Sequence, residues 1–161
     1  MLMALDATIT INGPQGSRNV PIGKFFVLPS ENASVENVLA DAEIVTQIQI
    51  PASAFAARST YVKFKERESL DFAMVAASAA IDLAPDQTVR QARIVLGAVA
   101  PIPWRVPKAE AALVGKPLND ASVNAATDAA LEGAAPLEKN AYKIPLAKAL
   151  VRRALNGLKT A

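Results

Sequence analysis

The 161-residue sequence predicts an α+β fold: a three-stranded antiparallel sheet packed with about three helices. Three observations predict it. Residues 61–65, Tyr-Val-Lys-Phe-Lys, alternate polar and apolar, the period-2 signature of a half-buried strand. Two apolar runs, 72–83 and 89–99, are separated only by the turn Pro85-Asp86-Gln87-Thr88, which favours a hairpin. After Pro101 and Pro103 the pattern changes to helical segments punctuated by Gly115 and Gly133.

The elements follow in order. Residues 7–11, Ala-Thr-Ile-Thr-Ile, alternate and are β-rich, and Asn12-Gly13-Pro14 is expected to break the strand. Residues 15–18 extend the turn, and 19–22 form a short return strand. An apolar stretch, 24–29, ends at Pro29, and residues 43–50 form a strand that stops at Pro51. Residues 52–58 are an alanine-rich connector with room for a helical turn. The strand at 61–65 places Tyr61, Lys63 and Lys65 on one face, and Val62 and Phe64 on the other. A charged turn, Glu66 to Ser69, follows it. Alanine favours helix, but the hairpin geometry makes both 72–83 and 89–99 strands. The sheet is expected to end at Ala100-Pro101-Ile102-Pro103. Helices are expected over 108–114, over 121–132 behind an Asn119 or Asp120 cap, and over 144–158. In the last, Leu146, Leu150, Ala154 and Leu158 form one apolar stripe.

Composition narrows the chemistry. Hydrophobic residues make up 52% and charged residues 20%, which is a globular balance. Cysteine and histidine are absent, so this chain supplies no disulfide, iron–sulfur ligand, thiol nucleophile or histidine base. The expected compartment is the cytoplasm, with the periplasm compatible as well. A net charge of +2, with scattered basic residues and no aromatic platform, argues against nucleic-acid binding. No apolar run is long enough for a membrane span. The carboxylates Glu66, Glu68 and Asp71 share a turn and read as solvated groups, not as an acid–base pair. Trp104 reads equally as an interface anchor or a cap on the sheet end, and Arg105 and Glu110 as an ion pair across a helix start.

Several stretches together resemble one family. They are Met3-Ala4-Leu5-Asp6-Ala7, a Gly16-x-Arg18 turn, Pro21-Ile22-x-x-Phe25-Phe26, and Glu43-Ile44-Val45 leading to Ile48-Gln49-Ile50-Pro51. To these add Tyr61-x-Lys63-Phe64-Lys65, Asp71-Phe72-Ala73, and Arg93 to Pro101. Pro103-Trp104-Arg105 and Asn140-Ala141-Tyr142-Lys143 complete the set. Their order and spacing resemble the C-terminal portion of the FAD-binding (medium) subunits of the molybdenum hydroxylases. That group holds the xanthine dehydrogenases, carbon monoxide dehydrogenases and aldehyde oxidoreductases, and the last branch is the most similar.

The resemblance implies that residues 1–51 are the tail of an FAD-binding domain and 52–161 a flavoprotein C-terminal domain. It implies FAD as cofactor, with molybdopterin and [2Fe–2S] clusters on partner large and small subunits, and electrons passing from the clusters through FAD to an external acceptor. It assigns flavin contact to Val45 and Lys65, and no catalytic or metal-binding residue. The family's glycine-rich FAD loops lie before the Met-Ala-Leu-Asp-Ala segment, and the seven glycines here are isolated. The chain is therefore expected to hold an incomplete FAD site and to need the missing N-terminal portion. The competing expectation is a purely structural assembly module that never touches flavin.

Overall fold

The computed structural model describes residues 1–159, and at Ala54 the backbone alone. The N-terminal block is a three-stranded antiparallel sheet of order β2-β1-β3. Its strands are β1 (Thr8–Gly13), β2 (Gly16–Pro21) and β3 (Ile44–Gln49). The β1–β2 hairpin is tighter than the sequence suggests. Gly13 pairs with Gly16, so the turn is Pro14-Gln15 alone and the expected turn at Gly16 to Arg18 is strand. Gly16 takes φ +109°, which a side chain resists, and so permits the tight reversal.

A one-turn helix, α1 (Ala54–Ala57), leads to the second sheet. That sheet holds β4 (Ser59–Phe64), β5 (Val75–Leu83), β6 (Val89–Gly97) and β7 (Trp104–Arg105) in sequence order. Strands β4, β5 and β6 are the three expected, all antiparallel. The fourth corrects the expectation that the prolines end the sheet. Pro101 and Pro103 only interrupt the ladder, and Trp104 and Arg105, which retain their N–H groups, rejoin it opposite Leu96 and Val95. Residues 66–74 form a loop, so β5 starts later than expected.

The helices are α2 (Pro107–Leu113), α3 (Asp120–Ala130) and α4 (Lys143–Gly157). Each begins or ends within a residue or two of its sequence signal. Pro107 opens α2, and Gly115 and Gly133, both at positive φ, follow α2 and α3. The Asn119 side chain accepts from the Ser122 N–H, and the Ser122 hydroxyl accepts from the Asn119 N–H.

Strand β5 is buried on both faces over its first seven residues. Val75, Ala77, Ala79 and Ile81 enter a core with Ile94, Leu96 and the helical residues Leu113, Val123, Val151 and Leu155. Ala80, from the other face, joins Val95 and Phe55 in a second core with Met3, Leu5, Ile9 and Ile11. The helices cover one side of the sheet and the N-terminal block covers the other. Small side chains let both layers approach closely, which explains an alanine-rich run folding as a strand against its helical propensity. Among the described residues no helix is long and apolar enough to cross a membrane.

Candidate functional site

Strand β3 carries Val45. Thr10 pairs with Gln47 and Ile11 with Val45, so Thr46 is an extra residue, a β-bulge. The bulge returns Val45 to the face that Ile48 occupies opposite Ile9. Val45 is half-buried and packs on the N-terminal core.

The entry to β3 is clamped. Arg18 on β2 donates from Nε to Glu43 at 2.9 Å and from a terminal nitrogen at 2.7 Å, and reaches the Val38 carbonyl at 2.8 Å. Glu43 also accepts from the Ala40 N–H at 2.8 Å. The Arg18 guanidinium, with the Ala40 N–H, pulls the Glu43 carboxyl from its usual 4.5 to about 2. A Cβ at Gly13 would stand 2.8 Å from Glu43 Cγ, so the bare backbone there lets the carboxylate arm pass.

Lys65 lies one residue beyond β4, on the other sheet. Its ammonium donates to the Ser69 carbonyl at 2.9 Å, and that of Lys63 donates to the Asp71 carbonyl. Arg67 pairs with Asp71 at 3.1 Å, and Asp71 accepts from the Phe72 N–H. Both lysines therefore hold down the loop that follows their strand. The loop presents Leu70 and Phe72 almost wholly to solvent. Among the described residues no hydrogen bond joins Val45 to Lys65, which lie on different sheets, and neither residue lines either of the two clefts below.

A charge network escaped the sequence reading except at one pair. Glu110, on α2, is only 7% exposed. It accepts from the Ile94 N–H at 3.0 Å and takes Arg105 bidentately at 2.9 and 2.8 Å. That pairing raises the Arg105 pKa above its usual value. Asp6 joins from the N-terminal block, 3.1 Å from Arg93 and 4.0 Å from Arg105. The Arg93 guanidinium also lies 5.0 Å from the centre of the Phe55 ring. The network ties β6, β7 and α2 to the Met-Ala-Leu-Asp-Ala segment. Arg105 beside Glu110 was its only visible sequence signal.

Trp104 lines two clefts. One, of about 320 Å³, lies between the sheet end and residues 130–144. The other, of about 510 Å³, lies against Met3, Asp6, Ile22 and Lys24. Among the described residues no three carboxylate, histidine or cysteine groups gather as a metal site. FAD asks for a diphosphate cradle, and the residues present do not form one. The positive-φ glycines sit in a hairpin turn or after helices, and none opens a helix N-terminus.

Two family models match the chain. Residues 1–53 match the model for the FAD binding domain in molybdopterin dehydrogenase, and residues 59–158 match that for the CO dehydrogenase flavoprotein C-terminal domain. The carbon monoxide dehydrogenase medium chain of Hydrogenophaga pseudoflava is 34% identical over 158 residues, covering 96% of this chain and 53% of the relative. The aldehyde oxidoreductase FAD-binding subunit of Escherichia coli is 30% identical over 145 residues, covering 89% of this chain and 42% of the relative. A solved carbon monoxide dehydrogenase structure from Hydrogenophaga pseudoflava superposes with a TM-score of 0.84 at 34% identity, over 98% of this chain and 54% of that one. Quinoline 2-oxidoreductase from Pseudomonas putida gives a TM-score of 0.82 at 25% identity, over 99% and 54%. The chain spans about half the length of these relatives. It belongs to the CO dehydrogenase flavoprotein C-terminal domain family, preceded by a segment of the FAD-binding domain found in molybdopterin dehydrogenases.

Proposed function

We propose that this chain is the C-terminal part of the flavin-carrying subunit of a molybdenum-containing hydroxylase of the aldehyde oxidoreductase or xanthine dehydrogenase type. The supporting observation is continuity. One unbroken likeness to a carbon monoxide dehydrogenase chain runs through both sheets and all the helices, at a TM-score of 0.84. In this reading residues 1–51 close the FAD-binding domain, and 52–161 form the C-terminal domain. FAD receives electrons from [2Fe–2S] clusters on a small subunit and passes them to an external acceptor. Molybdopterin and the organic substrate belong to a large subunit. This chain encloses one side of the flavin and docks on its partners.

Val45 and Lys65 are the residues assigned to the flavin. A half-buried valine excludes water from an aromatic ring. A lysine ammonium favours negative charge on a reduced one. No phosphate-binding step is assigned to this chain, because the described residues form no such cradle.

One observation favours the alternative, a structural assembly module without flavin contact: the Lys65 ammonium is already engaged by the Ser69 carbonyl. Flavin content separates the two readings. The chain purified alone is expected to be colourless, and a complete subunit formed with an FAD-binding N-terminal portion to carry bound FAD. A complete, folded subunit without flavin would sink the flavin assignment and leave the structural module.

A further inference from the structure

Two of the stretches singled out in the sequence, Pro103-Trp104-Arg105 and Asn140-Ala141-Tyr142-Lys143, take no part in the flavin assignment. The fold brings them to one cavity. Trp104 on β7 and Lys143 at the start of α4 both line the cleft of about 320 Å³ at the end of the second sheet. Every residue of its wall falls between Leu96 and Ile144, so the cleft lies wholly within the C-terminal domain.

The walls are mainly apolar. Val99, Leu131 and Ile144 are half-buried, and the Trp104 indole is 45% exposed beside them. The polar groups are donors. The half-buried Lys143 ammonium gives one hydrogen bond to the Ala98 carbonyl at 2.6 Å and meets no carboxylate among the described residues. An ammonium has three donors, so two remain for another acceptor. The Asn140 side-chain oxygen accepts from the Leu137 N–H at 2.7 Å, which orients the amide and leaves its NH2 group without a partner among the described residues. The positive end of the α4 dipole adds to the charge of Lys143. The acidic group in the wall, Glu132, is engaged by Lys108 at 3.0 Å. Ala98 takes φ +61°, a left-handed conformation that a side chain resists. The Lys143 contact falls on that residue's carbonyl, so the strained turn and the ammonium hold each other in place.

We propose that this cleft binds a small aromatic carboxylate. The ring would lie against Trp104, Leu131 and Ile144, and the carboxylate would accept from the Lys143 ammonium and the Asn140 amide. Each part of the ligand answers a part of the wall. A cavity at the lower end of the ligand-pocket range, about 300–1,000 Å³, suits one or two rings. An indole among branched aliphatic side chains favours a flat apolar body. An ammonium without a carboxylate partner asks for an anion. The site is separate from the flavin assignment, since neither Val45 nor Lys65 lines it, and it stands or falls independently of the functional reading.

Trp104 is the sole tryptophan, so its fluorescence reports on the cleft directly. Benzoate titrated into the 161-residue chain is expected to change that emission saturably, in the millimolar range or tighter. Benzyl alcohol and benzylamine keep the ring and lose the negative charge, and should bind at least about tenfold more weakly. Lys143→Met should weaken benzoate by about tenfold or more. Because Lys143 also holds Ala98, a second variant leaves it in place: Ala135→Phe fills the cleft from an exposed position on its wall and should abolish binding. Trp104 lines the other cleft as well, together with Lys24, so Lys24→Met is the control and should bind benzoate as the parent does. Four results would each overturn the proposal: no saturable change, equal binding of the three probes, benzoate binding untouched by Lys143→Met or by Ala135→Phe, or binding lost in Lys24→Met.

Discussion

Replacing Glu110 by alanine should destabilise this chain by about 1.5–4 kcal/mol, and glutamine should recover most of that loss. The magnitude comes from two parts. The Ile94 N–H lies in the core and has the Glu110 carboxylate as its acceptor at 3.0 Å. Leaving such a donor unsatisfied costs about 1–3 kcal/mol. The pairing with Arg105 adds less, about 0.5–1 kcal/mol, because the arginine side chain is 38% exposed and water can take over its hydrogen bonds. Glu110→Gln keeps an oxygen for Ile94 and loses only the charge, so it should cost about 0.5–1.5 kcal/mol. Urea unfolding followed by circular dichroism measures both variants, with the slope checked for constancy. For a chain of this size, 3 kcal/mol lowers the melting temperature by roughly 6–12 °C. If glutamine and alanine cost the same, the Ile94 hydrogen bond is not what Glu110 supplies. If both cost under about 0.5 kcal/mol, the network is ornamental and the reasoning fails.

Three further predictions follow from the site. Glu43 has a carboxyl held at about 2 in the folded chain against the usual 4.5, so its stabilising contribution is complete above pH 4.5 and is lost as the pH falls toward 2. Arg18→Met should remove that part of the acid sensitivity, and Gly13→Ala should weaken it by pushing the Glu43 arm aside; melting curves from pH 6 to 2 compare the three. In a complete flavin-bearing subunit, Lys65→Ala should lower the flavin midpoint potential by roughly 20–65 mV, taking about 1–3 kcal/mol for one charge at an effective dielectric near 20. Lys63→Ala should shift it less, and equal shifts in a potentiometric titration would return Lys65 to a loop-anchoring role. The chain alone should show no saturable FAD binding in the micromolar range by fluorescence quenching, and stoichiometric yellow protein would disprove the missing-cradle argument.

The local grammar of the chain was legible in its residues. Alternation over 61–65, the turn at 85–88 and the prolines and glycines around α2 and α3 each act within a few residues, where backbone sterics and capping decide the outcome. The resemblance named Val45 and Lys65, but their surroundings depended on contacts that local pattern does not encode. Arg18 meets Glu43 across 25 residues, Arg93 meets Asp6 across 87, and Arg58 donates to the Leu158 carbonyl across 100. The Thr46 bulge looks like plain alternation until β1 fixes its register. The short β7 strand exists because β6 offers Val95 and Leu96 an open ladder. The alanine-rich β5 is held as a strand by cores on both its faces. Pairings of this kind depend on which surfaces meet after the chain has closed its long loops, and the free energy that selects them is burial shared between distant segments.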